Sequence, residues 1–294
     1  MSVSSVAFVA AAGEPDVSRN GGTHAVSADD ETPETRRADR LETMREIVGG
    51  IKLESGEGDD RAALELSPEP LLRYSDPPHE SLEDATVWIW RRGERPAAML
   101  KLEFYPRLDR GPTWSFCWTS LSGRPLDGQM EGGRSWTSRP ADIAPQWLLD
   151  APPPADDADG RLRQMRQLAR RFTAYRIYGE HGRTELRLLS RPVYRYKSQV
   201  EGITDGAVFS VMKDTNPHVE LLIESALDGD APRWRFACVR HADAECHLLL
   251  DGREVWQAEM RAEIDPRRPY FWFQRPASDT RRVGQASGTS NGPP

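Results

Sequence analysis

The 294-residue sequence contains no unbroken apolar run of eighteen residues, which excludes a membrane-spanning helix. Histidine is scarce: there are six, scattered, with none in an H-E-x-x-H or H-x-H pattern or in a nucleophile–base arrangement. The three cysteines, Cys117, Cys238 and Cys246, form no C-x-x-C pair and show no metal-ligand spacing, and their odd number leaves at least one thiol unpaired. Cys117 and Cys238 lie in apolar strand-like runs and read as small buried hydrophobes. A basic surplus is missing as well. With 39 Lys and Arg against 46 Asp and Glu the formal net charge is −7, so the chain lacks the field that neutralises phosphates, and no nucleic-acid partner is expected. No catalytic signature is recognisable, and no cofactor is expected.

The ends are poor in core-forming residues. Residues 13 to about 38 are rich in Gly, Asp, Thr and Ser, and 276–294 have a similar composition, so 1–38 and 276–294 are expected to be disordered. The start, MSVSSVAFVAAAG, has a short apolar core ending in Ala10, Ala11 and Ala12, which resembles a signal-peptide cleavage site, but no Lys or Arg precedes it. Two readings stand: a signal peptide without its start, giving a secreted or periplasmic protein, or a plain tail on a cytoplasmic one.

What the sequence does contain is an internal match. PLLRY at 70–74 returns as PVYRY at 192–196, and the register extends in both directions at an offset of about 121 residues. RLETMREIV at 40–48 matches RLRQMRQLA at 161–169, and Leu41, Met44 and Ile47 are answered by Leu162, Met165 and Leu168 at helical spacing. EDATVWIW at 83–90 matches TDGAVFSV at 204–211. Pro96, Leu100 and Glu103 match Pro217, Leu221 and Glu224, Trp114 and Phe116 match Trp234 and Phe236, and ADIAP at 141–145 returns as AEIDP at 262–266. The expectation is a tandem duplication.

Each half then reads as one amphipathic helix followed by short strands. In 97–105, Ala98, Leu100, Leu102 and Phe104 alternate with Lys101 and Glu103, a half-buried strand by period two. Trp114, Phe116 and Trp118 share one face of the next strand, with Ser115, Cys117 and Thr119 on the other. GERP at 93–96, TNP at 215–217 and Asp251-Gly252 are turns, the last being the strongest hairpin signal. The predicted fold is α+β, with two units at 39–150 and 161–275, each an N-terminal helix plus a five- or six-stranded antiparallel sheet, roll-like, packed as a pseudo-twofold pair. APPPADDADG at 151–160 reads as an extended linker.

The stretches LELSPEPLLRYSDP, ATVWIWRRGERPA, WSFCWTSLS, RLRQMRQLARRF, ELRLLSRPVYRY and DGREVW together resemble an uncharacterised family of planctomycete bacterial proteins. The resemblance covers roughly residues 40–275. It implies a secretory signal in many members and brings no activity, cofactor or catalytic residue with it.

Candidate sites are few. On an extended strand His241, Asp243, Glu245 and His247 of HADAECH would share a face and could chelate a divalent ion, but the stretch separates two strand-like runs and is expected to be a turn without metal. Arg161, Arg163, Arg166, Arg170 and Arg171 read as a solvated helix face. Of nine tryptophans, Trp88 and Trp90 are matched by Phe209 and Val211 in the second half and lead into a charged turn, which makes them candidates for stacking a flat ligand. Arg195 and Tyr196 are held as further candidate ligand contacts. Asp84 and Asp205, just before strands, read as turn residues. A buried guanidinium needs a carboxylate, so Arg73 is expected to pair with Glu103, and Arg195 with Glu224. The functional expectation is a non-enzymatic module that binds a small ligand, glycan, peptide or protein. The alternative is a roll-fold enzyme with an acid or base in a helix–sheet pocket.

Overall fold

The computed structural model describes residues 32–76, 82–108, 111–141, 143–261 and 263–278. The expected N-terminal segment up to residue 31, the tail from 279, and Asp142 and Ala262 of the ADIAP and AEIDP match lie outside them. The first half runs α1 (Pro33–Gly49), β1 (Lys52–Ser55), β2 (Ala62–Ala63), β3 (Glu65–Leu66), β4 (Leu72–Asp76), β5 (Leu82–Arg92), β6 (Arg95–Leu108), β7 (Gly111–Ser120), β8 (Leu126–Gln129), β9 (Ser135–Trp136) and β10 (Gln146–Trp147). The second runs α2 (Ala158–Ala169), β11 (Phe172–Ile177), β12 (Arg183–Leu188), β13 (Tyr194–Ser198), β14 (Ile203–Lys213), β15 (Asn216–Asp228), β16 (Ala231–Arg240), β17 (Glu245–Leu250), β18 (Arg253–Ala258) and β19 (Tyr270–Pro276). The described residues thus form a mostly-β α+β protein with two helices and three antiparallel sheets.

Both helices start where the sequence offers a cap. Thr32 accepts from the Thr35 amide ahead of Pro33, and Asp157 accepts from the Gly160 amide at 2.7 Å. Helix α1 therefore begins inside the segment expected to be disordered, and 33–38 are helical. Met44 and Ile47 in α1, and Met165 and Leu168 in α2, are the buried stripe that the spacing demanded. The tight turns also lie where they were read. Asp251 and Gly252, both at positive φ, link β17 to β18, and Gly93 at positive φ lies between Arg92 and Arg95.

The six-stranded sheet has the order β19-β7-β6-β5-β3, with β4 also on β5. The nine-stranded sheet has the order β10-β16-β15-β14-β12-β11-β17-β18, with β13 on β14, and its eight-strand path curls strongly into a half-barrel. The remaining sheet is β2-β1-β8-β9. In the second half β12 pairs with both β11 and β14, so one sheet is continuous. In the first half two short strands do that work separately, β2 on β1 and β3 on β5, and the sheet divides.

Two strands cross between the halves. The sequence segmentation puts Gln146–Trp147 in the first unit and 270–275 in the second, yet β10 pairs with β16 and β19 pairs with β7. The 151–160 segment is not a free spacer either. Gln164 accepts from the Ala155 amide and donates to the Pro153 carbonyl, Arg161 donates to the carbonyls of Ala155 and Asp156, and 158–160 are already helix.

Three apolar clusters result: one under α1, one under α2, and a third between the two larger sheets built from Val87, Ile89, Met99, Val208, Leu222 and Val239 among others. The third cluster explains a departure from the period-two reading. Lys101 and Glu103, expected on the open face of a half-buried strand, are each 3% exposed, because the other half covers that face.

PLLRY and PVYRY occupy β4 and β13, where alternation sends Arg and Tyr to opposite faces. The expected pairs of Arg73 with Glu103 and Arg195 with Glu224 are therefore not formed. Arg73 grips Asp84 with Nε at 2.9 Å and Nη2 at 2.5 Å, and Arg195 grips Asp205 at 2.8 and 2.6 Å. The aspartates are buried, not turn residues, and each takes a second arginine from the helix: Arg40 on Asp84 at 3.4 Å and Arg161 on Asp205 at 2.9 Å. The tyrosines on the other face reach the glutamates, Tyr74 donating to Glu103 at 2.9 Å and Tyr196 to Glu224 at 2.6 Å.

Asp205→Ala leaves two guanidinium groups without their carboxylate and is expected to cost on the order of 3 kcal/mol. Arg195→Ala leaves Arg161 in place and removes a side chain that is one-third exposed, so about 1–2 kcal/mol is expected. Urea unfolding of both variants checks the order; an Arg195→Ala loss exceeding that of Asp205→Ala rules out this account of the clasp.

Candidate functional site

Each tyrosine–glutamate pair is met by a residue from the β-turn of the opposite half. At one end Arg95 donates to Glu224 and, at 2.9 Å, to the Tyr196 hydroxyl, while Arg235 donates to the second Glu224 oxygen at 2.7 Å. Two cations close that end. At the other end the residue aligned with Arg95 is Asn216, which donates to Glu103 at 3.3 Å and accepts from Lys101 at 2.7 Å. Lys101 also donates to the Pro217 carbonyl at 3.0 Å and lies 3.7 Å from Glu103. An amide is shorter than a guanidinium, and here a polar cleft of about 220 Å³ remains between the halves.

Strand alternation positions its walls. Lys101 and Glu103 on β6 face away from Leu100 and Leu102, and His218 on β15 faces away from Val219. Arg176 comes from β11, opposite Cys246 of β17, and Asp243 from the bend after β16. Burial and then the Glu103 charge push the Tyr74 hydroxyl well above its usual range, so it remains a donor. The same influences push the Cys117 thiol up to about 12, which makes it an inert lining group and no nucleophile.

Two side chains in this cleft each keep one buried nitrogen without a hydrogen-bond partner among the described residues. Arg176 is 7% exposed, has no ion pair, and its buried Nε makes no hydrogen bond. Its Nη1 lies 3.4 Å from His218 Nε2. A guanidinium only donates, so Nε2 accepts and the neutral His218 carries its proton on Nδ1, which is itself buried without a partner among the described residues. Burial, followed by the charges of Lys101 and Arg176, holds the His218 imidazole well below its ordinary value and keeps it neutral. The cleft thus sets a guanidinium beside an imidazole N–H, and neither Arg176 Nε nor His218 Nδ1 has an acceptor among the described residues.

These residues occur once in the internal match. The positions aligned with Arg176, His218 and Lys101 are Ser55, Ala97 and Leu222, whereas the clasp residues occur twice. A larger groove of about 850 Å³ lies beside β18 and β19, where Arg267 pairs with Asp265, Arg268 pairs with Glu263, and Arg240 donates to four backbone carbonyls.

The sites read from sequence fall elsewhere. Trp88 and Trp90 are each 1% exposed within the cluster under α1, so they cannot form a stacking platform: β5 is covered on both faces. Arg195 is engaged by Asp205 and the Ala158 carbonyl, and Tyr196 is buried on Glu224, so both are committed to partners within the fold. The HADAECH side chains do not converge. His241 donates to Glu220 at 2.8 Å in the interior, Asp243 lines the cleft, and His247 stacks on Tyr175 between Glu245 and Glu254. The bend at 242–244 breaks the alternation that would have put them on one face. Sequence reasoning missed Arg176 and His218 altogether. The signal available was their lack of a counterpart in the first half. Comparison with known family models, curated proteins and solved structures gives no match.

A histidine held neutral in the fold takes up its proton only after the unfolded chain has done so, so its contribution falls as pH drops below about 6.5, by up to about 1.4 kcal/mol per unit. The stability of the parent relative to His218→Gln is therefore expected to decline between pH 7.5 and 5. Both proteins retain His241 and His247, so those cancel. A difference that does not change with pH means that His218 is not held neutral.

Proposed function

We propose that the protein is a binding module that captures a small carboxylate-bearing ligand in the cleft between its halves. The observation that supports this reading is the buried Arg176 guanidinium, without an ion pair among the described residues and beside the unpartnered Nδ1 of His218. A planar fork matches a carboxylate with two hydrogen bonds, and a neutral imidazole N–H adds a third donor without adding charge. A volume of about 220 Å³ lies below the ~300–1,000 Å³ of drug-sized pockets and favours a ligand of few atoms over a glycan or peptide. A second reading, the roll-fold enzyme, draws support from His218 alone, a neutral base in a cleft.

The proposal includes the origin of the cleft. The chain is read as a tandem duplication packed about a pseudo-twofold axis, in line with its resemblance to the planctomycete family. Support comes from the paired clasps Arg40–Asp84–Arg73 and Arg161–Asp205–Arg195, the paired tyrosine–glutamate contacts and the reciprocal strand exchange. On this reading one end of a symmetric interface kept its arginines, while the other lost them and became a site. An experimental structure in which 40–145 and 161–266 superpose with Arg73 on Arg195 checks it; a different strand order ends it.

Calorimetric titration with acetate tests the binding reading. Acetate is expected to bind, and Arg176→Gln to weaken it at least about tenfold, because charged hydrogen bonds are lost. Equal affinity in both proteins, or none in either, removes the proposal. Proton spectra of a carboxylate that change during incubation with the protein favour the enzyme instead.

A further inference from the structure

The cleft holds a second charge without an ion pair among the described residues, of the opposite sign. Asp243 lines it and is half-buried, and its carboxylate makes no hydrogen bond or ion pair among the described residues. The backbone of Asp243 is pinned all the same, since its carbonyl accepts from the Arg240 guanidinium at 3.0 Å and from the Arg261 amide at 2.7 Å. The other charges of the lining are already matched: Glu103 takes the Tyr74, Tyr105 and Asn216 donors, and Lys101 is held by Asn216 and Pro217. What remains available to a ligand is one cation, Arg176, the neutral donor His218, and one anion, Asp243.

Aromatic rings complete the wall. Tyr178, Tyr270 and Trp272 line the same space, and the Trp272 indole N–H is buried without a partner. Aromatic faces attract ammonium groups through their quadrupoles, and a carboxylate beside them strengthens that preference. A simple anion gains nothing from Asp243 and is repelled by it; a dianion such as phosphate suffers more.

We infer that the ligand is a small zwitterion, an amino acid or a betaine, with its carboxylate on Arg176 and His218 and its ammonium group on Asp243 against the aromatic wall. The inference rests on the carboxylate-binding reading and adds the second pole. It explains why a chain with so small a cleft lines it with both signs of charge and leaves one of each unpaired.

Glycine, glycine betaine and acetate are titrated calorimetrically into the full-length protein and into Asp243→Asn. Glycine or betaine is expected to bind about tenfold more tightly than acetate, as one added charge-assisted contact provides. Asp243→Asn should erase that advantage and leave acetate binding equal or stronger. Acetate binding as tightly as both zwitterions in the parent protein overturns the inference and leaves the carboxylate reading intact. So does a zwitterion preference that survives in Asp243→Asn, whose thermal midpoint verifies that it is folded. If none of the three binds the parent, both readings fall together.

Discussion

The structure depends on two buried carboxylates. Asp84 and Asp205 each sit at the start of a long strand, and each is held by one arginine from the entry strand and one from the helix. A carboxylate with almost no solvent exposure is tolerable only when its lone pairs are filled by donors of opposite charge. That requirement ties three elements together at a fixed angle in both halves: helix, entry strand and central sheet. Arg73 and Arg195 also donate to helix carbonyls, of Arg37 and Ala158, so the same guanidinium groups anchor the N-terminal parts of α1 and α2. With the helix fixed over one sheet face, the opposite face is left to meet the other half.

That second interface is where the halves differ. Most of it is apolar, with Val87, Ile89, Val208 and Leu222 packed between the sheets. Its polar ends are built on the same tyrosine–glutamate pair and completed by different residues. Arg95 and Arg235 neutralise Glu224 and close one end. Asn216 and Lys101 satisfy Glu103 with shorter or singly placed groups, and the space left over is lined by Arg176, His218 and Asp243. The exchange of β10 and β19 holds the halves together around it, and β19 brings Tyr270 and Trp272 to the wall.

Much of the local architecture was legible. The helical stripes of α1 and α2, the Asp251-Gly252 hairpin and the strand face carrying Trp114, Phe116 and Trp118 all follow from spacing and turn chemistry. The partners of PLLRY and PVYRY were not legible. Arg73 and Tyr74 adjoin in sequence and point to opposite faces, so the choice between Asp84 and Glu103 rested on which face met the helix and which met the other sheet. The tryptophans show the same difficulty: Trp88 and Trp90 look exposed beside a charged turn, and burial on both faces of β5 decides otherwise.

By itself, then, the sequence determined the elements, their faces and the residues that recur in both halves, because periodicity and turn preference act within a few residues of one another. The tertiary structure alone decided the exchange of end strands, the closing of one interface end by arginine, and the meeting of β11, β15 and the bend after β16 around one cleft. Those contacts join residues such as Arg176 and His218 that lie 42 positions apart, and pairings between separate strands leave no periodic trace along the chain. Whether a charge finds its partner depends on what the folded surfaces bring within hydrogen-bonding reach, and among the described residues Arg176 and Asp243 have no ion pair.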